Sequence, residues 1–294
     1  DCDDTLKLLE DKYPNLYHTF IPDSARYISH KKLGITMGIK ASRHEWLVFT
    51  EPNCRPQSNQ WLKQMARNFT PATEIVLGYS NYEKVPGWLN KKITFDTLLN
   101  SMRYLGMALS GHPYMGTGRN LAYRKTLYYK QKGFASHLNL QRGEDDLFIN
   151  ETAHAHNTRV ETGSDSLMRI AMPKYKKIWC EEKISYAATS RLFKGTARYI
   201  MGFETCSRLL FYAAIIATIV ISILLHQWTT LGIAILLWAA RSVMQLIVFR
   251  KTAQAFGERK FCALLPVFDF LQPIWNGVFK LQRKLRRKNE FMRK

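Results

Sequence analysis

Two long apolar segments near the C-terminal end constrain the fold of this chain most strongly. Residues 209–225 carry no charged side chain, and residues 227–249 carry only Arg241. A helix needs about 20 apolar residues to cross the hydrocarbon core of a bilayer, and each segment is that long or nearly so. Residues 226–230 join them, which predicts a transmembrane helical hairpin with Trp228 at the far interface. A buried core hairpin of a soluble protein is the alternative.

The basic residues beside the hairpin predict its orientation. Residues 250–294 hold 12 Lys or Arg against 3 Asp or Glu, in a chain whose formal net charge is +20. Positive flanks stay on the cytosolic side, so we expect both ends of the hairpin there. The basic residues 280–294 also suit a nucleic-acid-binding arm, but the hairpin immediately upstream favours an anionic membrane surface. We therefore expect membrane lipids, and no nucleic acid, as partners.

Arg241 is the one charge inside the second apolar segment. A charged side chain is costly there unless it snorkels to an interface or pairs with another group. We expect it to snorkel toward the cytosolic interface, and a lipid diphosphate is a second conceivable partner.

Residues 261–279 are apolar but interrupted by Pro266, Asp269, Pro273 and Gly277. Proline removes a backbone donor and breaks helices, so this pattern argues against a third crossing. We expect an interfacial or re-entrant segment, followed by a basic helix that lies on the membrane surface.

The remaining residues alternate between helical and strand-like patterns, which predicts an α/β layer architecture. Helices are predicted at 4–12, 31–42, 58–68 and 92–109, and strands at 16–21, 45–50 and 74–80. Ligands of open α/β sheets bind at the carboxyl ends of strands, which is where residues 51–53 fall.

Cysteine and histidine spacing indicates no metal site. The cysteines are Cys2, Cys54, Cys180, Cys206 and Cys262, with no C-x-x-C pair among them. Such spacing is typical of reduced cytosolic thiols. His154 and His156 stand two residues apart, which would direct them to different faces of a helix.

Three consecutive acids, Glu144–Asp146, stand between Gly143 and the apolar residues 147–149. Carboxylates near a helix N-terminus interact with its positive end, so one of the three is explained as a cap. A cap does not explain all three acids, and acids clustered in a cleft tend to be functional. We therefore expect a catalytic base here.

The order of these segments and their residues resemble those of the inverting family 2 glycosyltransferases of the GT-A fold, in their membrane-anchored bacterial form. The resemblance covers nearly the whole chain and rests on residues 1–5, 30–35, 49–56, 111–125 and 144–146. It implies a GT-A-type α/β catalytic domain at 1–205, a transmembrane hairpin at 206–250, and an interfacial segment with a basic cytosolic tail at 251–294. It also implies that the family's first strand and helix precede Asp1.

The resemblance places the donor site on the N-terminal half. Asp1 would contact the nucleotide base, and Lys31 or Lys32 would face the diphosphate, although both lysines also suit an ordinary helix start. Glu51 and Asn53 stand in the family's Asp-x-Asp slot, which implies a divalent cofactor, Mg²⁺ or Mn²⁺, held by oxygen donors. Because asparagine is uncharged and glutamate is longer than aspartate, we expect weaker metal binding.

Residues 111–125 contain a G-x-G but carry Leu121 at the third glycine of a dinucleotide fingerprint, so that interpretation fails. The segment resembles the family's glycine-rich loop instead. On that resemblance the sugar and acceptor side is lined by Gly116, Gly118, Asn120, Asp146 and Trp179. Asp145 would be the general base, with Glu144 beside it near the donor sugar.

Residues 182–186 match the family's Gln-x-x-Arg-Trp segment poorly, which argues against a processive synthase. Arg198 with Tyr199 is the alternative position for that segment.

The leading hypothesis is an inverting enzyme that transfers a sugar from a nucleotide-diphosphate donor to a lipid-linked or cell-envelope glycan at the cytosolic face of a bacterial inner membrane. The alternative is a catalytically degenerate relative that acts as a membrane-bound partner, as the altered slot at Glu51 and Asn53 indicates.

Overall fold

The computed structural model of this protein describes residues 2–18, 21, 29–261 and 264–286. Its helices are α1 (Cys2–Lys12), α2 (His30–Ala41), α3 (Trp61–Ala66), α4 (Trp88–Leu109), α5 (Lys125–Lys130), α6 (Asp146–Thr152), α7 (Lys176–Thr189), α8 (Ala197–Leu224), α9 (Trp228–Ala255) and α10 (Leu265–Leu285). Its strands are β1 (Trp46–Phe49), β2 (Cys54–Pro56), β3 (Ile75–Gly78), β4 (Ser80–Tyr82), β5 (Leu121–Arg124), β6 (Thr158–Glu161) and β7 (Met168–Ile170). The predicted mixture of helices and strands is confirmed.

The predicted strand at 16–21 is wrong for the residues of it that the structure describes. Residues 16–18 and 21 are irregular. The backbone N–H of Leu16 donates to the carbonyl of Tyr13, and that of His18 donates to the Glu10 carboxylate at 2.6 Å. These donors bond to α1 and to the turn that follows it rather than to a neighbouring strand. A short apolar run does not say which partner it will find.

The larger sheet brings two distant segments together at its edge. Its strand order is β1-β5-β3-β6, with β5 antiparallel to both neighbours and β3 parallel to β6. Phe49 pairs with Leu121 in the antiparallel ladder. Counting two residues outward along both strands places Glu51, after β1, opposite Arg119, before β5. A smaller sheet has the strand order β2-β7-β4.

By length and composition, α8 and α9 could each cross a membrane. Only 17% of the most apolar stretch of α8 and 6% of that of α9 is buried inside the protein, whereas the core helices of soluble proteins are mostly buried. Their connection is shorter than predicted because α9 begins at Trp228, and His226 turns the chain with a φ of 54°. α8 begins at Ala197, before the apolar segment starts at residue 209.

A buried carboxylate ties α10 to this pair of helices. Asp269 accepts hydrogen bonds from the Tyr212 hydroxyl at 2.7 Å and from Gln245 Nε2 at 3.1 Å. Arg208 Nη1 and Arg241 Nη2 approach the same carboxylate at 3.3 and 3.4 Å. Arg241 therefore pairs within the protein, with a carboxylate of α10, and its expected approach to the cytosolic interface stays a prediction.

The predicted interruption at 261–279 is also wrong in part, because α10 is continuous from Leu265 to Leu285. Pro266 falls in its first turn, where a missing N–H costs nothing. Pro273 lies inside the helix and is buried. One side of α10 exposes apolar residues, as an interfacial helix would: Val267, Ile274, Val278, Leu281 and Leu285.

We expect Asp269→Ala to lower the free energy of unfolding by about 3 kcal/mol, because the buried Arg208 cation loses one of its two carboxylates, Glu204 being the other, and the Tyr212 hydroxyl loses its acceptor. Thermal unfolding of the detergent-solubilised protein measures this loss. Asp165→Ala, at an exposed aspartate, is the matched control and should leave the transition unchanged. Equal stability of both variants would show that the ion pairs contribute nothing.

Candidate active site

The acidic segment turns sharply into α6, as its glycine requires. Gly143 has a φ of +112°, and a Cβ there would lie 2.7 Å from Leu147 Cδ1. This turn buries three consecutive acids, Glu144, Asp145 and Asp146, which are 4%, 6% and 1% exposed. Consecutive buried carboxylates repel one another unless hydrogen-bond donors and cations stabilise their negative charge. The partners of the three acids therefore define the chemistry of the segment.

Asp145 is held by three hydrogen-bond donors. Its Oδ1 accepts from the Asp146 N–H at 2.8 Å, which makes it the cap of α6. Its Oδ2 accepts from the Gly118 N–H at 2.9 Å and from the Tyr186 hydroxyl at 3.2 Å. Burial, followed by the Glu144 carboxylate, raises the pKa of Asp145, while Lys31 opposes the change. A fixed carboxylate with a raised pKa is suited to accept a proton.

Asp146 faces the interior. Its Oδ1 accepts from the Leu147 N–H, and its Oδ2 accepts from the Thr189 hydroxyl. Burial and then the Asp145 carboxylate raise the pKa of Asp146 well above its usual range. Both carboxylate oxygens of Asp146 therefore accept hydrogen bonds from groups of the protein itself.

Of the two predicted diphosphate-binding lysines, only Lys31 reaches the acidic segment. Its ammonium lies 2.7 Å from Glu51 Oε1 and 2.8 Å from Glu144 Oε1. Burial lowers the pKa of Lys31, but the carboxylates of Glu144, Asp145 and Glu51 outweigh it and raise that pKa above its usual value.

Lys32 reaches the segment just before the acids instead, because successive residues of a helix project about 100° apart, and the three carboxylates still act on its charge. It is buried, and its ammonium donates to the carbonyls of His137 at 2.6 Å and Leu140 at 2.9 Å. Burial lowers the pKa of Lys32 to about 8. Lys32 thus fixes the segment that precedes the acids.

Arg119 links the end of β1 to α7, and sequence reasoning missed it although its neighbours Gly118 and Asn120 were singled out. Its Nε donates to Glu51 Oε2 at 3.0 Å, and its Nη2 lies 2.6 Å from Glu182 Oε1. Burial raises the pKa of Glu51, but Arg119 and Lys31 reverse this and lower it to about 2. Glu51 is therefore an anion with a cation on each oxygen.

The predicted metal slot does not have the donor set of a divalent ion. Asn53 is exposed, and its side-chain oxygen contacts only the Cys54 thiol, at 3.6 Å, among the described residues. Its backbone carbonyl accepts from the Ala171 N–H. Within the described ranges no three His, Cys, Asp or Glu side chains are grouped to hold a metal. Mg²⁺ and Mn²⁺ prefer several oxygen ligands, so the side chains of this slot do not fit them.

The glycine-rich loop contributes Gly118 to the site and buries its other predicted members. A Cβ on Gly116 would lie 3.0 Å from Leu77 Cδ2, so any larger residue here would displace that side chain. Asn120 braces the two sheets: its amide donates to the carbonyls of Tyr79 and Ser166, and its oxygen accepts from the Trp61 indole at 2.9 Å.

The segment 182–186 lies at the site despite its poor match to the family motif. Glu182, Tyr186 and Thr189 lie on one face of α7, since they are spaced by four and three residues. They contact Arg119, Asp145 and Asp146 respectively. Arg198 lies elsewhere and donates to the Arg191 carbonyl.

Trp179 is one turn earlier on α7 and is 2% exposed. Its ring packs edge-on against Phe279 at 5.4 Å, between α7 and α10. It also borders a cavity of about 30 Å³ that Arg119 and Tyr186 line. This volume accommodates water but not a sugar. Asp1 lies outside the described residues.

The fold resembles that of a solved glycosyltransferase. This is the mannosyltransferase PcManGT from Pyrobaculum calidifontis, solved in complex with GDP-Man and Mn²⁺. The TM-score is 0.52 at 14% sequence identity, over 95% of this chain and 74% of that chain. At this identity the likeness concerns the fold alone. The sequence matches no family profile and no curated protein.

The expectation of a glycosyltransferase-type α/β fold is confirmed at this level. Family 2, the GT-A type and the bacterial membrane-anchored form stay predictions.

We expect Asn120→Ala to destabilise the protein by about 2 kcal/mol, because it leaves the Trp61 N–H and the buried Ser166 carbonyl without partners and removes one of two donors from the Tyr79 carbonyl. Chemical denaturation followed by tryptophan fluorescence measures the change. Asn59→Ala, at an exposed asparagine nearby, is the control. If both variants unfold at the same denaturant concentration, Asn120 is not a brace.

Proposed function

We propose that this protein is an inverting glycosyltransferase of the GT-A type. It transfers a sugar from a nucleotide-diphosphate sugar to a lipid-linked or cell-envelope glycan acceptor at the cytosolic membrane face. The observation that carries the proposal is Asp145, a buried carboxylate fixed by three donors beside the Lys31 cation. The shared fold of a mannosyltransferase supports the same class of reaction.

In this reaction the acceptor hydroxyl attacks the anomeric carbon in line, and its proton goes to Asp145. The bond to the nucleoside diphosphate breaks, and the leaving group takes the bonding electrons. Lys31 provides positive charge for the developing diphosphate. Gly118 and Tyr186 hold the base in one orientation, and an arriving hydroxyl would replace the Tyr186 donor on Oδ2.

Glu144 has the geometry of a sugar-binding group. Its Oε1 contacts Lys31, but its Oε2 is buried without a hydrogen-bond partner among the described residues. An unpaired buried carboxylate oxygen is costly, so it is suited to accept from a donor-sugar hydroxyl. On this proposal the donor sugar lies between Lys31 and Asp145.

The lipid-linked acceptor is proposed because α8 and α9 are long and apolar enough to cross a membrane. Their basic C-terminal flank supports a cytosolic catalytic domain in a bacterial inner membrane. The proposed boundaries are a catalytic domain at 1–205, a hairpin at 206–250 and an interfacial segment with its tail at 251–294.

A catalytically degenerate membrane partner is the second candidate. It is favoured by the slot at Glu51 and Asn53, which lacks the donor set of a divalent ion, whereas the solved mannosyltransferase contains Mn²⁺.

For the full-length protein in nanodiscs, we expect nucleoside-diphosphate release from at least one of a panel of nucleotide sugars. Asp145→Asn should lower that turnover about 10²- to 10⁴-fold, because it removes the proton acceptor. Asp165→Asn, at an exposed aspartate, is the control. Undiminished turnover in Asp145→Asn would exclude it as the base, and no turnover with any donor would favour the degenerate partner.

Tyr186→Phe should move the acid limb of the pH–activity profile to higher pH. The Tyr186 hydroxyl stabilises the ionised form of Asp145, so its removal raises the pKa of that carboxyl. Transfer requires the ionised base and is lost as the pH falls through that pKa. The ratio of kcat/KM at pH 6 to that at pH 8 should therefore fall, while Tyr175→Phe, at an exposed tyrosine, keeps it. An unmoved profile contradicts the assigned contact.

A further inference from the structure

An ammonium group occupies the centre of the candidate donor site. Lys31 Nζ lies 2.7 Å from Glu51 Oε1 and 2.8 Å from Glu144 Oε1, so one cation bridges two carboxylates from distant parts of the chain. Lysine ammonium carries three hydrogens, and these contacts use two of them. The third is not engaged by any group within the described ranges.

Each carboxylate oxygen of Glu51 is already paired with a cation of the protein. Its Oε2 accepts from Arg119 Nε at 3.0 Å, and Arg119 is itself 7% exposed. If Glu51 turned toward a metal ion, it would leave a buried guanidinium without one of its two carboxylates. Breaking a buried ion pair in this way is strongly unfavourable. A divalent ion near Glu51 would also meet the repulsion of two resident cations.

The other member of the slot offers no compensation. Asn53 is uncharged, its side chain is exposed, and it contacts the neighbouring Cys54. Without a second carboxylate from the slot, the ion would lack the anionic oxygen ligands that hold it against a diphosphate.

The cluster presents its positive member to the solvent. The side chain of Lys31 is 40% exposed, whereas those of Glu51 and Glu144 are 17% and 3% exposed. An arriving phosphate would therefore meet the ammonium before either carboxylate. Lysine binds phosphates as a compact point charge in other nucleotide sites.

We propose that Lys31, held by Glu51 and Glu144 and supported by Arg119, takes the place of the divalent ion, so that the donor's diphosphate binds without Mg²⁺ or Mn²⁺. The inference rests on the proposed function, because it concerns the same donor site. Glu51 then acts as a positioning residue for Lys31 rather than as a metal ligand.

Calorimetric titration of the full-length protein in nanodiscs tests this proposal. The ligands are the diphosphates UDP and GDP and the monophosphates UMP and GMP, each titrated once in the presence of a chelator and once in the presence of Mn²⁺. We expect one diphosphate to bind with the same affinity in chelator as in Mn²⁺. Electron paramagnetic resonance should detect no bound Mn²⁺ with or without nucleotide. Lys31→Met should weaken diphosphate binding about 10- to 100-fold, the loss expected for a charge-assisted hydrogen bond.

Two further variants separate charge from folding. Lys40→Met, at an exposed lysine of the same helix, should bind the diphosphate as the unaltered protein does. Lys31→Arg keeps the charge and should recover part of the affinity, which a misfolded variant would not.

Each contrary result has its own meaning. Diphosphate binding that disappears in chelator and returns with Mn²⁺ overturns the Lys31 inference but leaves the transferase intact. Equal diphosphate affinity of Lys31→Met and Lys40→Met also overturns it. If no nucleotide binds with or without metal, while thermal unfolding shows a folded protein, both the inference and the proposed function are overturned.

Discussion

Charge compensation inside the protein is the constraint on which the site depends. The consecutive acids Glu144, Asp145 and Asp146 are all buried. Such a segment is stable only where hydrogen-bond donors and cations contact its carboxylates. Lys31 meets Glu144, while Gly118 and Tyr186 meet Asp145. The same contacts that make this segment foldable also fix the orientation of the proposed base, so stability and catalysis draw on one network.

That network continues from the site to the apolar helices. Lys183 of α7 pairs with Asp96 at 2.6 Å, and Asp96 accepts from Gln272 of α10 at 3.2 Å. Gln272 in turn accepts from Arg208 of α8 at 3.2 Å. Polar groups in contact with one another thus join α7, which covers Asp145, to the helices that could cross a membrane. The position of the site relative to α8 is therefore set by packed elements rather than by a flexible linker.

Sequence reasoning found the elements more reliably than the contacts. The helices at 31–42 and 92–109 were predicted from periodicity, because an amphipathic pattern is local. The same reasoning could not choose between Lys31 and Lys32, since the choice depends on which face of α2 meets the acidic segment. It also undervalued residues 182–186, because their match to a motif is poor while their spacing on α7 is what places them at Asp145.

The sequence alone determined the apolar helices and the position of three acids after a glycine, because hydrophobic length and turn chemistry are properties of short segments. Only the tertiary structure decided that Arg119 and Lys31 hold both oxygens of Glu51, and that Arg241 pairs with Asp269. These contacts join residues that strand register and helix packing bring together. Long-range charge pairing leaves no periodic trace in the sequence, so it must be observed in the fold.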